Sequence, residues 1–457
     1  MQKSSLDYRK VMSDINKLFY ELIRVAIGTQ AGLSRLPSHS TGSGLTPAEW
    51  EELFEMAVKQ SLVGVCFVGL NRLGADADDP STCSGQEDTF AQIGMSEELY
   101  FDWMGMAAQI NMKNELVNEQ CMELQKRLAA EGFRSSILKG QGVAALYRLH
   151  ENENENCRQD GSLNPKPSTI NLSGFRQSGD IDIYVDCGRE KAIEYARSIQ
   201  GDVDWDYKHL HLKVFDDTAV EMHYVPEVFL NLRKNRKLQK WFKENQKMIF
   251  NENGNVNENK SSLPIGEDRG ENPRFVCPSV EFNLFYILLH TYRHFLYEGV
   301  GMRQLMDYFF VLQTNGSKGK EGIESKERVL TVIKQFGMTR FVKGVMWIMA
   351  HVFANENDNE NENWLLCEPD EKEGRYILSE VMTGGNFGHH DERLATKTKT
   401  KTKTKTKTAA VKKILKHNMH LLTHYPGDTL WAPVWIVYHW IWKRSFQRKL
   451  KLKRKQG

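Results

Sequence analysis

Two aspartates one residue apart, Asp180 and Asp182, lie in the stretch Gly179-Asp180-Ile181-Asp182-Ile183-Tyr184-Val185-Asp186. In an extended chain successive side chains point to opposite faces. Ile181, Ile183 and Val185 then share a face suited to a core, and Asp180 and Asp182 share the other. Two carboxylates held this close repel, and each raises the proton affinity of its neighbour. A positive charge between them relieves the repulsion, and oxygen-only ligands favour a hard cation such as Mg²⁺. Gly179, lacking a side chain, leaves room for a phosphate or a second backbone. The bland alternative is a strand end whose acids face water, and an isolated Asp-x-Asp does not separate the two.

A third carboxylate stands downstream. His209-Leu210-His211-Leu212-Lys213-Val214-Phe215 alternates like a strand, Asp216-Asp217 reads as the turn of a hairpin, and Ala219 to Tyr224 returns. On the returning strand Ala219, Glu221 and His223 share one face, and Val220, Met222 and Tyr224 the other. An exposed sheet face produces the same pattern. Upstream, Phe133 to Leu138 reads as a short strand, Lys139-Gly140-Gln141-Gly142 breaks it, and Val143 to Leu149 reads as a helix. Strand, glycine turn and helix together aim backbone N–H groups at an anion, with Lys139 as an added cation; a plain tight turn is the alternative. Arg176, before the Asp pair, meets a phosphate or pairs with a neighbouring acid.

Other candidate sites read as structural. His290 and His294 lie four apart on one helix face, but the metalloprotease pattern needs Glu after the first His and Thr291 stands there. They read as packed or capping histidines. Arg303 and Asp307 have the spacing of an i,i+4 pair. The seven cysteines are scattered and form no C-x-x-C. They suggest neither a disulfide framework nor a zinc site, and fit a reducing compartment.

The elements that must position these residues follow from patterning. Residues 8–27 carry a helical apolar period. Thr46-Pro47-Ala48-Glu49 is a helix start with a cap, a proline at the first position and an acid three residues after the cap, leading to a helix to about Leu70. A long helix is expected from about Ser96 to Ala130, another over 188–199, a basic one from Lys234 to Phe250, one opening at Ser279 and one over 327–353. Residues 29–45 and 74–92 read as loops. Asn/Glu-rich tracts at 151–170, 251–259 and 355–363, and a Lys-Thr run from Thr396 to Thr408, cannot bury a core and read as solvated insertions. Gly384 to Gly388 is a glycine-rich turn. The stretch Trp431 to Trp442 is aromatic and Lys443 to Lys455 basic: either a membrane-surface helix or a helix packed on its own domain with a frayed end.

The division expected is a helical region over 1–130, a core over 131–250 and a helical domain over 275–457. A net charge of +2 points to no particular polyanion, and the 40% hydrophobic and 26% charged content suits a soluble protein. With no apolar leader or membrane-length run, a cytoplasmic location is expected.

Taken together, Leu138-Lys139-Gly140, then Arg176 with Gly179-Asp180-Ile181-Asp182, then Glu221-Met222-His223, resembles the nucleotidyltransferase superfamily typified by DNA polymerase beta. More narrowly it is similar to an uncharacterised bacterial nucleotidyltransferase-like family with L-K-G, R-x-x-G-D-I-D and E-x-H in that order. The resemblance covers roughly residues 95–390, including His290, His294, Arg303 and Asp307. The superfamily's usual Gly-Ser turn is here Gly140-Gln141. The resemblance implies an α+β fold, a small mixed β-sheet nucleotidyltransferase core flanked by N- and C-terminal helical regions. It implies Asp180, Asp182 and Glu221 as catalytic and metal-binding acids around two Mg²⁺ ions, with Lys139, Gly140, Gly179 and Arg176 at the phosphates. The reaction implied moves a nucleoside monophosphate from a nucleoside triphosphate (NTP) to a hydroxyl on an unknown acceptor: a small molecule, a sugar phosphate, a protein or RNA. The alternatives are an inactive nucleotide- or partner-binding protein of the same fold, and a peripheral membrane or assembly protein acting through its aromatic-basic tail.

Overall fold

The computed structural model describes residues 13–30, 32–34, 44–75, 93–147, 172–252, 275–354, 364–386, 416–417 and 419–456. The Asn/Glu tracts, the Lys-Thr run and the loop at 74–92 fall wholly or largely outside these residues; of the Gly384 to Gly388 turn, residues 384–386 are described, and Gly385 there has φ +62°. In chain order the main elements are α1 (Asp14–Ile27), α2 (Pro47–Gln60), α3 (Val63–Ala75), α4 (Glu97–Ala130), β1 (Ser135–Ile137), β2 (Ile181–Val185), α5 (Gly188–Gln200), β3 (His209–Leu212) and β4 (Val220–His223). There follow α6 (Leu232–Glu244), α7 (Val280–Tyr297), α8 (Met302–Gly316), α9 (Gly319–Phe336), α10 (Thr339–Ile348), α11 (Glu371–Gly384) and α12 (Trp431–Gln456). This is the α+β class expected: helices around a small mixed sheet.

Local chemistry sets several boundaries. At the start of α2 the Thr46 hydroxyl accepts from the Glu49 N–H at 3.3 Å, and the Glu49 carboxylate accepts from the Thr46 N–H at 2.8 Å, the reciprocal cap expected there. Ser279 caps α7 by accepting from the Phe282 N–H. The single helix expected over 327–353 is two, because Gly337 adopts φ +67°, a left-handed conformation that ends α9. Likewise α6 stops at Glu244, with a separate short turn at Gln246–Ile249.

Contacts divide the chain into two units, each made of separate stretches of sequence. One comprises Met1–Glu115, Ala144–Ser178 and Gly299–Asp391; the other Leu116–Val143, Gly179–Glu298 and Glu392–Gly457. The second holds the sheet. Its strand order is β1-β2-β4-β3, with β1 and β3 antiparallel to their neighbours and β2 and β4 parallel. One face is the core: Ile181, Ile183, Val185, Val220, Met222, Leu210 and Leu212 are buried with Val117, Cys121, Leu124 and Leu128 of α4 and Ala192, Ile193 and Ala196 of α5. Trp442 and Phe446 of α12 pack against the same cluster. The Arg189 guanidinium lies over the Trp442 ring at 4.6 Å and the Tyr224 ring at 4.8 Å. Packing therefore claims one flank of α12, while Val434, Val437, Trp440 and Ile441 are exposed on it. The basic stretch continues the helix to Gln456. Among the described residues no helix is long and apolar enough to cross a membrane.

The first unit is helical among its described residues. Inside it Arg176 grips Asp307 with both arms, at 2.6 Å and 2.7 Å, and the Tyr147 hydroxyl donates to the same carboxylate at 2.8 Å. Both charges are buried, so removing one leaves the other without compensation. Asp307→Asn is expected to cost about 3–5 kcal/mol in urea denaturation. Arg127→Ala, which breaks the half-exposed pair with Glu123, is expected to cost less than about 1 kcal/mol.

Candidate active site

The polar face of the sheet gathers the chemistry. The parallel ladder sets Asp182 directly opposite Glu221, and the antiparallel one sets His209 opposite His223. With Asp180 one strand period before Asp182, three carboxylates meet: Asp180, Asp182 and Glu221 each offer an oxygen within 4.8 Å of the others. Asp180 reaches solvent, Glu221 is half-buried and Asp182 is buried.

The turn after β1 brings a cation to the acids. The Leu138 N–H donates to the Asp182 carbonyl at 2.9 Å, tying the start of the turn to β2. Gly140 has φ +59°, a conformation that suits glycine. A Cβ at Gly142 would stand 2.4 Å from the Ile137 carbonyl oxygen, so the backbones can approach there only with glycine. Lys139 is thereby held with its Nζ 3.1 Å from Asp182 Oδ1. Gln141 donates to Asn118 at 2.6 Å. Gly179 is exposed immediately before the Asp pair.

The electrostatics follow from this crowding. Repulsion from the Asp182 carboxylate, with partial desolvation, pushes the Asp180 carboxyl up to about 6. Burial alone would raise Asp182 too, but Lys139 and His223, whose Nε2–H donates to Asp182 Oδ1 at 2.9 Å, outweigh it and hold it well below the usual carboxylate range. For Glu221 burial is again opposed, chiefly by His223, and the carboxyl falls to about 2. Burial disfavours the Lys139 ammonium, yet Asp182, Asp180 and Glu221 hold it above the ordinary lysine range. Burial likewise disfavours the His223 cation, and hydrogen bonds to Asp182 and Glu221 raise it. His209 moves the other way, down to about 4, through burial and repulsion from His223. The acids are thus balanced by cations of the chain itself.

Behind Lys139 lies a buried network. Lys139 Nζ donates to His290 Nε2 at 3.2 Å, and His290 Nδ1–H donates to Glu227 at 2.8 Å. Each ring nitrogen therefore has one role, acceptor toward Lys139 and donor toward Glu227. Glu227, fully buried, also meets Arg293 at 3.0 Å and Lys208 at 3.5 Å. His294 meets Glu298 at 2.8 Å. Each histidine of the α7 pair thus sits against a carboxylate, as packed side chains do.

Residues 172–354 match the model of a family described as an uncharacterised nucleotidyltransferase. The nucleotidyltransferase match carries Asp180, Asp182 and Glu221, with His209, His223, Glu227 and His290, while Lys139 and Gly140 precede it. No curated protein and no solved structure matches the chain.

Of the residues singled out from the sequence, the structure brings together Asp180, Asp182, Glu221 and Lys139, with Gly140 and Gly179 at the edges. Arg176 belongs to the other unit, where Asp307 takes its guanidinium; of the two roles left open for it, pairing with an acid is the one seen. Arg303 donates to the Gln177 carbonyl at 2.6 Å. Sequence reasoning assigned no role to His209, Lys208 or Glu227. The alternation of His209 with Leu210 was a signal for the first; nothing local marks the other two, whose partners are remote.

Glu227 generates a stability prediction. Burial alone would raise its carboxyl, but Lys208, Arg293 and His290 hold it well below the normal range. A depressed folded value stabilises the fold above the unfolded value of about 4.3, and the gain is lost as pH falls through the folded one. Glu227→Gln is expected to cost about 3–5 kcal/mol at pH 7. In urea titrations the gap from wild type should narrow at pH 3; an unchanged gap would refute this account.

Proposed function

We propose that this protein is a Mg²⁺-dependent nucleotidyltransferase that moves a nucleoside monophosphate from an NTP to a hydroxyl acceptor. The observation that carries the reading is the convergence of Asp180, Asp182 and Glu221 on one sheet face, within the segment matched to the nucleotidyltransferase family. Three carboxylate oxygens this close are a donor set suited to a hard dication. Bound there, Mg²⁺, in two ions on our reading, would supply charge neutralisation for the leaving pyrophosphate and acidity for the attacking hydroxyl.

The chain's own residues do the rest. In the transfer a bond forms between the acceptor oxygen and the α-phosphorus. The bond from that phosphorus to the bridging oxygen breaks, its electrons leave on pyrophosphate, and the hydroxyl proton goes to solvent. Catalysis of this kind is mainly positioning and charge stabilisation. Asp182 is fixed within strand β2, a more rigid mount than a loop, and Asp180 immediately precedes that strand. Lys139 is assigned to a phosphate oxygen, since its ammonium lies at the margin of the acids and His290 and Glu227 aim it. Gly140 and Gly179 leave the approach clear. His223 holds Asp182 and Glu221 in place. Arg176, already engaged by Asp307, is left out of the phosphate grip. The acceptor is a small molecule, a sugar phosphate, a protein side chain or RNA, and an NTP donor fits a cytoplasmic location.

A second reading has its own support. Lys139 and His223 already compensate Asp182, as they would in a protein of this fold that binds a nucleotide or a partner without transfer. One experiment separates the two: incubation with each α-labelled NTP, Mg²⁺ or Mn²⁺, and cell extract as acceptor source. We expect labelled product from the wild type and a loss of at least about 100-fold, some 2.7 kcal/mol of barrier, in Asp180→Asn with its folding retained. Equal labelling by wild type and variant would overturn the assignment. Metal-dependent NTP binding without transfer would establish the second reading.

A further inference from the structure

We propose that His209, Glu221 and His223 form a binding site for a first-row transition-metal dication, distinct in ligand chemistry from the all-oxygen set. The proposal shares Glu221 with the transferase reading above and needs no nucleotide.

The placement comes from the sheet. His209 on β3 lies directly opposite His223 on β4, and Glu221 stands one strand period before His223 on the same face. One ligand atom from each of the three lies within 4.8 Å of the other two. His209 Nδ1 is 3.2 Å from Glu221 Oε2, and His223 Nε2, which gives up the proton it donates to Asp182 when it takes the metal, is 3.5 Å from the same oxygen. Ligands bound about 2.0–2.2 Å from one ion sit roughly 3.0–3.5 Å apart in octahedral or tetrahedral arrangements, so these separations already match the edges of a coordination polyhedron.

A second observation points the same way. The close approach of His209 Nδ1 to Glu221 is not a hydrogen bond, and that buried nitrogen has no hydrogen-bond partner among the described residues. A buried imidazole nitrogen that makes no hydrogen bond beside a carboxylate oxygen leaves its lone pair available to a cation shared with that oxygen. The other ring nitrogen, Nε2, faces Asp206 at 3.8 Å; metal-bound imidazoles commonly have a carboxylate on that side. Two imidazole nitrogens and one carboxylate suit Zn²⁺, Co²⁺, Fe²⁺ or Mn²⁺, whereas Mg²⁺ takes oxygen ligands. The competing account is that both histidines only steady Glu221.

The test reads metal directly. Full-length apo protein is titrated with Co²⁺ and followed by its visible d–d absorption, and Mn²⁺-loaded wild type is examined by pulsed EPR for imidazole nitrogen modulation. We expect one Co²⁺ per chain, nitrogen modulation, and affinity at least about 100-fold lower in His209→Ala. Asp180→Asn should keep Co²⁺ even where it abolishes transfer, so failure of the transferase reading and failure of this one are distinguishable. Absence of imidazole modulation in the wild type, which requires no variant to fold, or wild-type Co²⁺ affinity in His209→Ala would overturn the site.

Discussion

Like charges do not gather without compensation, and the sheet of this protein forces three of them together. The parallel pairing of β2 with β4 puts Asp182 beside Glu221, and the strand period puts Asp180 on the same face. Around that repulsion the rest of the unit arranges its cations. Lys139 arrives from a turn that two glycines make sterically feasible, and His223 rises from the strand that carries Glu221. The opposite face does the packing, and its apolar burial supplies the stability that lets the polar face stay crowded.

The second layer extends the same logic inward. Glu227 has no access to water and is the anion on which Lys208, Arg293 and His290 converge. Through His290 it governs the direction of Lys139, several bonds from any carboxylate of the triad. A buried ion cluster of this kind is a costly means of stabilising a fold; its evident product is a lysine held in one orientation. The Arg176–Asp307 pair is the counterpart in the other unit, with Tyr147 completing its hydrogen bonds.

What the sequence made legible was what alternation and caps encode. Period-two patterning separated Ile181, Ile183 and Val185 from the two aspartates, and the Thr46-Pro47-Ala48-Glu49 start was readable because both partners of the cap lie within one turn. The hairpin from His209 to Tyr224 was readable, but alternation does not fix its register to the residue, so the direct opposition of His209 and His223, and with it a role for His209, was out of reach. Arg176 resisted for a different reason: its partner Asp307 lies far along the chain and had a nearer candidate in Arg303. Gly337 was submerged in a strong apolar period, where one left-handed residue ends a helix that composition alone would continue.

The order of pairings has a consequence for how the chain assembles. The β3–β4 hairpin closes over a short turn, whereas β2 and β4 are separated by a helix and the whole of β3. Loop-closure entropy rises with the length of chain between contacts, and distant pairings form against the larger barrier. His209, Glu221 and His223 therefore belong to a local, early-forming piece, while Asp180 and Asp182 join them only through the non-local contact. The nitrogen-bearing half of the polar face can exist on a nascent hairpin, and the complete set of acids is a property of the finished fold alone.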